Sequence, residues 1–184
     1  VLMINGDDVL TGGEKASVVD TLTITKAAIL GGIKVDLSKA DQVVSMNGSS
    51  NAAVQTGFES VSVLAYTGAG AELIGNAEAN TFTGSPAVDS ISGGAGNDTI
   101  NVSDTTNSAS DVMNGGDGTT DTIHILATTD FADTDGNITN VELFTIAGGV
   151  VNLDITGQSE AFGITGGAGA NAIIGGSGID TIDG

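Results

Sequence analysis

Polar and apolar residues alternate along this chain in short runs, and these runs predict β-strands. The clearest are DTLTIT at 20–25, ESVSVLAY at 59–66 and VELFTI at 141–146. Alternation with a period of two residues is typical of a strand that has one buried face. The 3.6-residue period of a helix is weak, and its best short candidate is ADQVV at 40–44. The pattern therefore predicts an all-β chain of short strands.

A glycine-rich unit of nine residues recurs in two blocks. Three units follow one another in register, GNAEANTFT at 75–83, GSPAVDSIS at 84–92 and GGAGNDTIN at 93–101. Two more, GGAGANAII at 166–174 and GGSGIDTID at 175–183, form the second block. Most combine glycines, which allow tight turns at positive φ, with an acid or amide and a large apolar residue. Self-similarity at a fixed period indicates a solenoid, in which each unit stacks on its neighbours.

These units resemble the nonapeptide GGxGxDxUx of the RTX proteins, where U is a large apolar residue. The resemblance implies a parallel β-roll, or β-solenoid, in which two units complete one coil. It also implies that Ca²⁺ lies between stacked loops, bound by aspartate carboxylates and backbone carbonyls. The residues that it places in these loops are Asp98, Asp89, Asp180, Asn80, Asn171, Gly93, Gly94, Gly96, Gly175, Gly176 and Gly178. Looser copies of the unit add the candidates Asp8, Asp20, Asp111, Asp117 and Asp121.

The length of a coil decides which residues could share an ion. Asn80 and Asp98 are 18 residues apart, the length of two units, so we expect them on one edge of the solenoid. Asp89 needs a partner one coil further on. That partner is Asn107, unless an insertion after the third unit moves the register to Asp111.

The second block offers fewer ligands. Asp180 would meet Phe162 one coil earlier, and Phe162 carries no side-chain oxygen. We therefore expect few regular calcium sites, completed by irregular neighbours such as Asp104 and Asp117. The alternative is a metal-free solenoid, in which the glycine loops are ordinary turns and the aspartates only cap them.

A longer repeat divides the chain into two parts. The acid that precedes an alternating run at Glu59 returns at Glu142. We expect two degenerate super-repeats within one continuous solenoid, without a linker between them. Their bounds are 1–101, with its nonapeptide block at 75–101, and 102–184, with its block at 166–183.

The charge of the chain narrows the classes of partner. Its formal net charge is −19, with 23 acidic and 4 basic residues, and all four lysines lie in the first 39 positions. Nucleic acids and anionic lipids need clustered Lys or Arg, so both are poor partners. Bound calcium would offset the self-repulsion of the acidic region. Extracellular calcium modules bind in the range of about 0.1 to 1 mM, and a site at about a hundredfold excess of free calcium contributes roughly 2.7 kcal/mol, a large part of a domain stability of about 5 to 15 kcal/mol. From the charge and the repeats we therefore expect calcium binding to be coupled to folding.

A second possible ion loop is DTDGNITNVE at 133–142. Asp133, Asp135 and Glu142 occupy places of an EF-hand-like motif, but Phe131 stands where the first aspartate belongs. An acidic turn that leads into a strand is the alternative interpretation.

The sequence gives little support to catalysis or to membrane insertion. His124 is the single histidine and there is no cysteine, so a nucleophile with a nearby base is not evident. We predict an outward strand position for His124 and no enzymatic activity. No apolar run is long enough for a membrane-spanning helix.

The function that these features favour is a calcium-stabilised structural or adhesive unit of a secreted bacterial surface protein, similar to RTX adhesins and RTX-bearing S-layer proteins. Open strand edges at the solenoid ends predict assembly with other copies of the chain. The resemblance implies type I secretion and an extracellular location. The alternative is a calcium-triggered secretion and folding module of an exported enzyme or toxin. Thr21, Thr23 and Thr25 suggest ice binding only weakly, because threonines do not recur at a regular spacing along the chain.

Overall fold

The structure is a computed structural model, and it describes residues 9–11, 19–24, 31–46, 49–50, 54–102, 110–126, 131–132, 136–149 and 151–184. It is all-β, and its parallel stacked coils form a β-solenoid. Within these residues the strands are β1 (Val9–Thr11), β2 (Thr21–Thr23), β3 (Ile33–Asp36), β4 (Val43–Met46), β5 (Ser49–Ser50), β6 (Val54–Thr56), β7 (Ser60–Ser62), β8 (Ala71–Ile74), β9 (Thr81–Thr83), β10 (Ser90–Ser92), β11 (Thr99–Val102), β12 (Val112–Asn114), β13 (Thr122–Ile125), β14 (Phe131–Ala132), β15 (Ile138–Thr139), β16 (Leu143–Ile146), β17 (Asn152–Asp154), β18 (Gly163–Thr165), β19 (Ala172–Ile174) and β20 (Thr181–Asp183).

Two large sheets form the walls of the solenoid in the described part of the chain. The first has eight strands in the order β2-β7-β9-β11-β13-β16-β18-β20, and all of its pairs are parallel. The second has seven strands in the order β15-β12-β10-β8-β3-β4-β5. Smaller sheets pair β1 with β6 and place β17 between β14 and β19. The eight-stranded sheet takes strands from both expected super-repeats, and the division at residue 101 stays a prediction.

Alternation along each short strand builds the core. In the eight-stranded sheet the central residue of each strand points inward, so that Val61, Phe82 and Ile100 stack in register and are almost fully buried. Their neighbours on the same strands face outward. Each coil adds only a few such side chains, so the core is a narrow column that is extended by stacking. Burial of each of these side chains contributes about 1.5 to 3 kcal/mol to stability.

Three aromatic rings widen this column. Phe144 is fully buried, and its ring centroid lies 5.1 Å from that of Phe162 and 6.3 Å from that of Phe131. The Phe144–Phe162 pair is edge-to-face and the other pair is tilted, and both are favourable ring geometries.

The region around residues 33–50 departs from the parallel pattern. β4 pairs antiparallel with β3 and with β5, and the register shifts between Lys34 and Val35. The weak helical candidate at 40–44 forms no helix, since β4 begins at Val43. Val43 is fully buried and pairs with Val35 of β3. This pairing provides backbone hydrogen bonds and packing that an isolated five-residue helix would lack.

No candidate for a membrane-spanning helix is found among the residues that the structure describes.

Candidate metal centre

One residue per coil lies immediately before each strand of the eight-stranded sheet. Because the strands are parallel and in register, these residues stack on one edge of the solenoid, and we call them the edge column. Its members are Asp20, Glu59, Asn80, Asp98, Asp121, Glu142, Phe162 and Asp180.

Carboxylates connect successive coils along the edge column. The backbone N–H of Asn80 donates to Asp98 Oδ1 at 2.7 Å, and the N–H of Asp98 donates to Asp121 Oδ1 at 2.7 Å. The N–H of Asp121 donates in turn to Glu142 Oε2 at 2.7 Å. Each acid therefore uses one oxygen to hold the coil before it. Asn80 and Asp98 lie on one edge, as expected from their separation of 18 residues, and their sharing of an ion stays a prediction.

The second oxygens of two neighbouring acids have no partner. Asp98 and Asp121 are each 1% exposed, and the Oδ2 atoms of both accept no hydrogen bond among the described residues. A buried oxygen without a partner costs about 1 to 3 kcal/mol, and more when it is charged. Two such oxygens on adjacent coils are candidate ligands for a cation.

The pKa of Asp98 reflects the same cost of burying a charged oxygen. The pKa of Asp98 is raised to about 6, chiefly by burial; the hydrogen bond from the Asn80 N–H lowers it in part, and the charge of Asp121 contributes a smaller increase. A cation beside these carboxylates would replace the missing solvation and separate the two like charges.

Glycine is required where the carboxylates turn back onto their own loop. A Cβ on Gly93 would lie 2.2 Å from Asp98 Oδ2 and 2.1 Å from the carbonyl oxygen of Gly115. Gly94 and Gly96 adopt φ values of 105° and 95°, which side chains with a Cβ rarely adopt. The loop is thus closed to any larger residue, and its backbone carbonyls lie against the next loop.

The opposite edge carries a second, shorter set of acids. The N–H of Ala71 donates to Asp89 Oδ1 at 2.6 Å, and the N–H of Asp89 donates to Asp111 Oδ1 at 2.9 Å. The partner of Asp89 one coil on is therefore Asp111, because the insertion lengthens that coil to 22 residues. Asp89 Oδ2 is also satisfied, since it accepts the N–H of Ser85 at 2.6 Å.

The second nonapeptide block repeats the arrangement with weaker ligands. Asp180 lies half-buried and its Oδ1 accepts the N–H of Phe162 at 3.0 Å. A Cβ on Gly175 would lie 2.2 Å from Asp180 Oδ2. Asn171 Oδ1 accepts the N–H of Val151 at 3.1 Å. As the sequence predicted, Asp180 faces a residue that offers no side-chain oxygen.

The remaining glycines of this block lie against backbone carbonyls. Ideal Cβ atoms on Gly176 and Gly178 would lie 2.3 Å from the Gln158 oxygen and 2.0 Å from the Glu160 oxygen. These loops stack on the coil before them as closely as the first block does.

The looser candidates fall into three groups. Asp20 is half-buried in the edge column, and its N–H donates to Glu59 Oε2 at 2.8 Å. Asp117 is exposed on the loop after Gly115, where its N–H donates to the Gly94 carbonyl at 2.7 Å. The positions that lie outside the described residues are Asp8, Asp104, Asn107, Asp133 and Asp135.

Sequence reasoning missed the part that Glu59 and Glu142 play. Both stand in the edge column, where each accepts a backbone N–H of the coil before it. Glu142 is thus engaged with Asp121, and Ile138 of the EF-hand-like segment is buried in the core. The triplet of an acid, any residue and a buried apolar residue, found at both glutamates, could have identified them.

The donor set fits calcium only if the backbone takes part. Among the described residues, no group of three or more carboxylate, imidazole or thiol side chains converges on one point. Ca²⁺ takes 6 to 8 oxygen ligands, and carboxylates and backbone carbonyls both serve. The free Oδ2 atoms of Asp98 and Asp121 and the carbonyls of the glycine loops are ligands of this kind, so the residues present fit calcium better than a metal that prefers nitrogen or sulfur.

The fold and its loops together define a parallel β-solenoid with acidic, glycine-lined edges. The chain carries the RTX calcium-binding nonapeptide repeat in four copies, and the family model matches residues 66–104 and 164–184. RTX nonapeptide repeats bind calcium ions and are typical of secreted proteins. No curated protein and no solved structure matches the chain.

Proposed function

We propose that this chain is a calcium-stabilised structural unit of a secreted bacterial surface protein, and that it assembles with further copies through its coil ends. The loops of the first block, with Asp98 and Asp121, are the principal calcium site. The role is mechanical and adhesive rather than catalytic, and the metal supplies stability rather than chemistry.

The pair of unpartnered carboxylate oxygens carries this proposal. Asp98 Oδ2 and Asp121 Oδ2 lie buried on adjacent coils of a chain whose net charge is −19. Without a cation the folded state bears both the desolvation of these oxygens and their mutual repulsion. Bound calcium would offset both the desolvation of the two oxygens and their repulsion. The folded solenoid is then favoured outside the cell, where calcium is abundant.

The last described coil leaves apolar side chains uncovered. Ile182 continues the buried column of Phe144 and Ile164, yet it is 52% exposed, and the neighbouring Ile179 is 90% exposed. A further coil of the same register would cover both side chains, and either a continuation of the solenoid or a second copy of the chain could supply it.

The proposal further places the protein outside the bacterial cell, after export by type I secretion. Low calcium in the cytoplasm would keep the acidic chain unfolded until it emerges. The same property would serve a folding module attached to an exported enzyme, and that function remains the second candidate.

A calcium titration of Asp98→Asn beside Asp154→Asn tests the metal site. Asp154 is half-buried at the end of β17, away from the edge column, so its variant controls for the loss of one negative charge. We expect the β-sheet circular dichroism signal to need several-fold more calcium in Asp98→Asn, and the wild-type amount in Asp154→Asn. Equal midpoints for the two variants, or a wild-type signal that is complete in a strong chelator, would overturn the proposal.

Light scattering on calcium-loaded protein tests the assembly. We expect the mass of the wild type to rise with concentration, and that of Ile182→Asp to stay near one chain. Val88→Asp is the matched control, because Val88 is 52% exposed on the side of the solenoid. A wild type that stays monomeric at millimolar calcium would remove assembly and leave the folding module as the better function.

A further inference from the structure

The outward side of the eight-stranded sheet is a regular array of small hydroxyl side chains, which we call the threonine face. Its two ranks follow from the register, because each strand contributes two outward residues separated by one buried residue. The first rank is Thr21, Ser60, Thr81, Thr99, Thr122, Leu143, Gly163 and Thr181. The second rank is Thr23, Ser62, Thr83, Asn101, His124, Thr145, Thr165 and Asp183.

This array corrects an expectation from the sequence. Threonines looked irregular because the coils differ in length: Thr81 and Thr99 are 18 residues apart, but Thr21 and Ser60 are 39 apart. The extra residues of the longer coils lie outside the eight-stranded sheet. Thr21 and Ser60 therefore still occupy matching positions on adjacent strands. Neighbouring side chains are therefore about 4.8 Å apart between coils and about 6.7 Å apart along a strand.

The threonine face is nearly uncharged in a strongly acidic chain. Its single carboxylate is Asp183, at the last strand, although the formal net charge of the chain is −19. The seven-stranded sheet differs, because its outward position carries Lys34, Glu72, Ser90 and Val112 in register, with an ion pair between the first two. The absence of charge thus belongs to one wall of the solenoid and is not general.

A buried hydroxyl within the threonine face lacks a partner. Ser60 is 3% exposed, and its Oγ makes no hydrogen bond among the described residues. Ser60 also lines a groove with Thr81 and Thr83. Thr145 Oγ1, two coils beyond Asn101, is buried without a partner as well. A ligand or water that reached such a hydroxyl would supply the missing hydrogen bond.

We propose that the threonine face binds the surface of ice. An ice plane is an uncharged lattice of hydrogen-bond donors and acceptors at fixed spacings, and a regular array of hydroxyls and methyls is complementary to it. Because threonine is stiff at χ1, the array is ordered before binding and loses little side-chain entropy. Sugars are a poorer fit, since neither rank contains a Phe, Tyr or Trp ring on which a sugar could stack.

Slow freezing of calcium-loaded protein around a cold surface tests this inference. The fraction of protein incorporated into the ice is compared for the wild type, Thr83→Lys and Val112→Lys, after circular dichroism has confirmed the same fold in all three. Each variant adds one lysine to an outward strand position, but only Thr83 lies on the threonine face. We expect the wild type and Val112→Lys to enter the ice and Thr83→Lys to be excluded.

Three outcomes would overturn it. The wild type could be excluded from ice, the two lysine variants could partition equally, or Thr83→Lys could change the mass of the protein in solution, which would make this face a contact between copies. Because circular dichroism confirms the fold of the same calcium-loaded samples, failure here is distinct from failure of the proposed metal site.

Discussion

Asp98 shows how one residue can serve the fold and oppose it at the same time. Its Oδ1 holds the preceding coil through the N–H of Asn80, while its Oδ2 lies buried without a partner. The first contact stabilises the stack, and the second makes the charged side chain costly. The neighbouring Asp121 repeats this division, so the strain is concentrated at one coil boundary.

This strain predicts an unusual pH dependence for the metal-free chain. The pKa of Asp98 is about 6 in the folded protein, against an ordinary value of 3.8. The folded state therefore binds the proton more tightly than the unfolded state, and protonation favours folding. Asp98 lowers stability above pH 6, and this penalty disappears as the pH falls from about 6 towards about 4.

In metal-free buffer, we expect the β-sheet signal of the wild type to increase as the pH falls from about 7 to about 5. Asp98→Asn should show a smaller increase, because the amide never carries the charge. Circular dichroism across this range checks both statements. A wild-type signal that falls with pH, or two identical profiles, would contradict the assignment of the strain to Asp98.

At the scale of the elements, the glycine loops depend on close contact with their own carboxylate. A Cβ on Gly93 would enter the van der Waals radius of both Asp98 Oδ2 and the Gly115 carbonyl. We expect Gly93→Ala to lower the free energy of unfolding by at least about 1 to 3 kcal/mol. Gly163→Ala is the matched control, because its nearest atom would be Leu143 Cδ1 at 3.2 Å and the side chain can shift.

Denaturant unfolding in saturating calcium measures this difference. If Gly93→Ala were as stable as Gly163→Ala, the loop could deform without cost, and the close packing of carboxylate on glycine would not be required.

The same elements show what the sequence could and could not predict. Asn80 and Asp98 were predictable as neighbours because their coil contains no insertion. The antiparallel hairpin of β3 and β4 was not, since its buried residues look like any other short apolar run. Glu59 and Glu142 were missed because no glycine-rich unit surrounds them, and side-chain length alone does not reveal a place in the edge column.

At the scale of the whole molecule, the net charge opposes compaction of the chain. The formal net charge of −19 acts against any compact state, and salt screens it without occupying a site. We expect sodium chloride to restore part of the β-sheet signal in metal-free protein, and calcium to restore all of it at a far lower ionic strength. Titrations matched in ionic strength check this, and equal effects of the two salts would show that screening alone is sufficient.

The way in which the coils are joined also determines how the molecule bears force. Tension along the stack loads every coil boundary in series, so the weakest boundary sets the strength of the whole. Edge-column carboxylates reinforce the three boundaries from Asn80 to Glu142. Phe162 offers none to Glu142, so the boundary between β16 and β18 is held at this edge by the bond from Gly163 N–H to the Glu142 carbonyl and by a longer contact of 3.4 Å from Asn140 N–H to Glu160 Oε1. Single-molecule pulling should therefore open the stack between β16 and β18 before it opens those three boundaries, with calcium raising their rupture force and leaving this one unchanged.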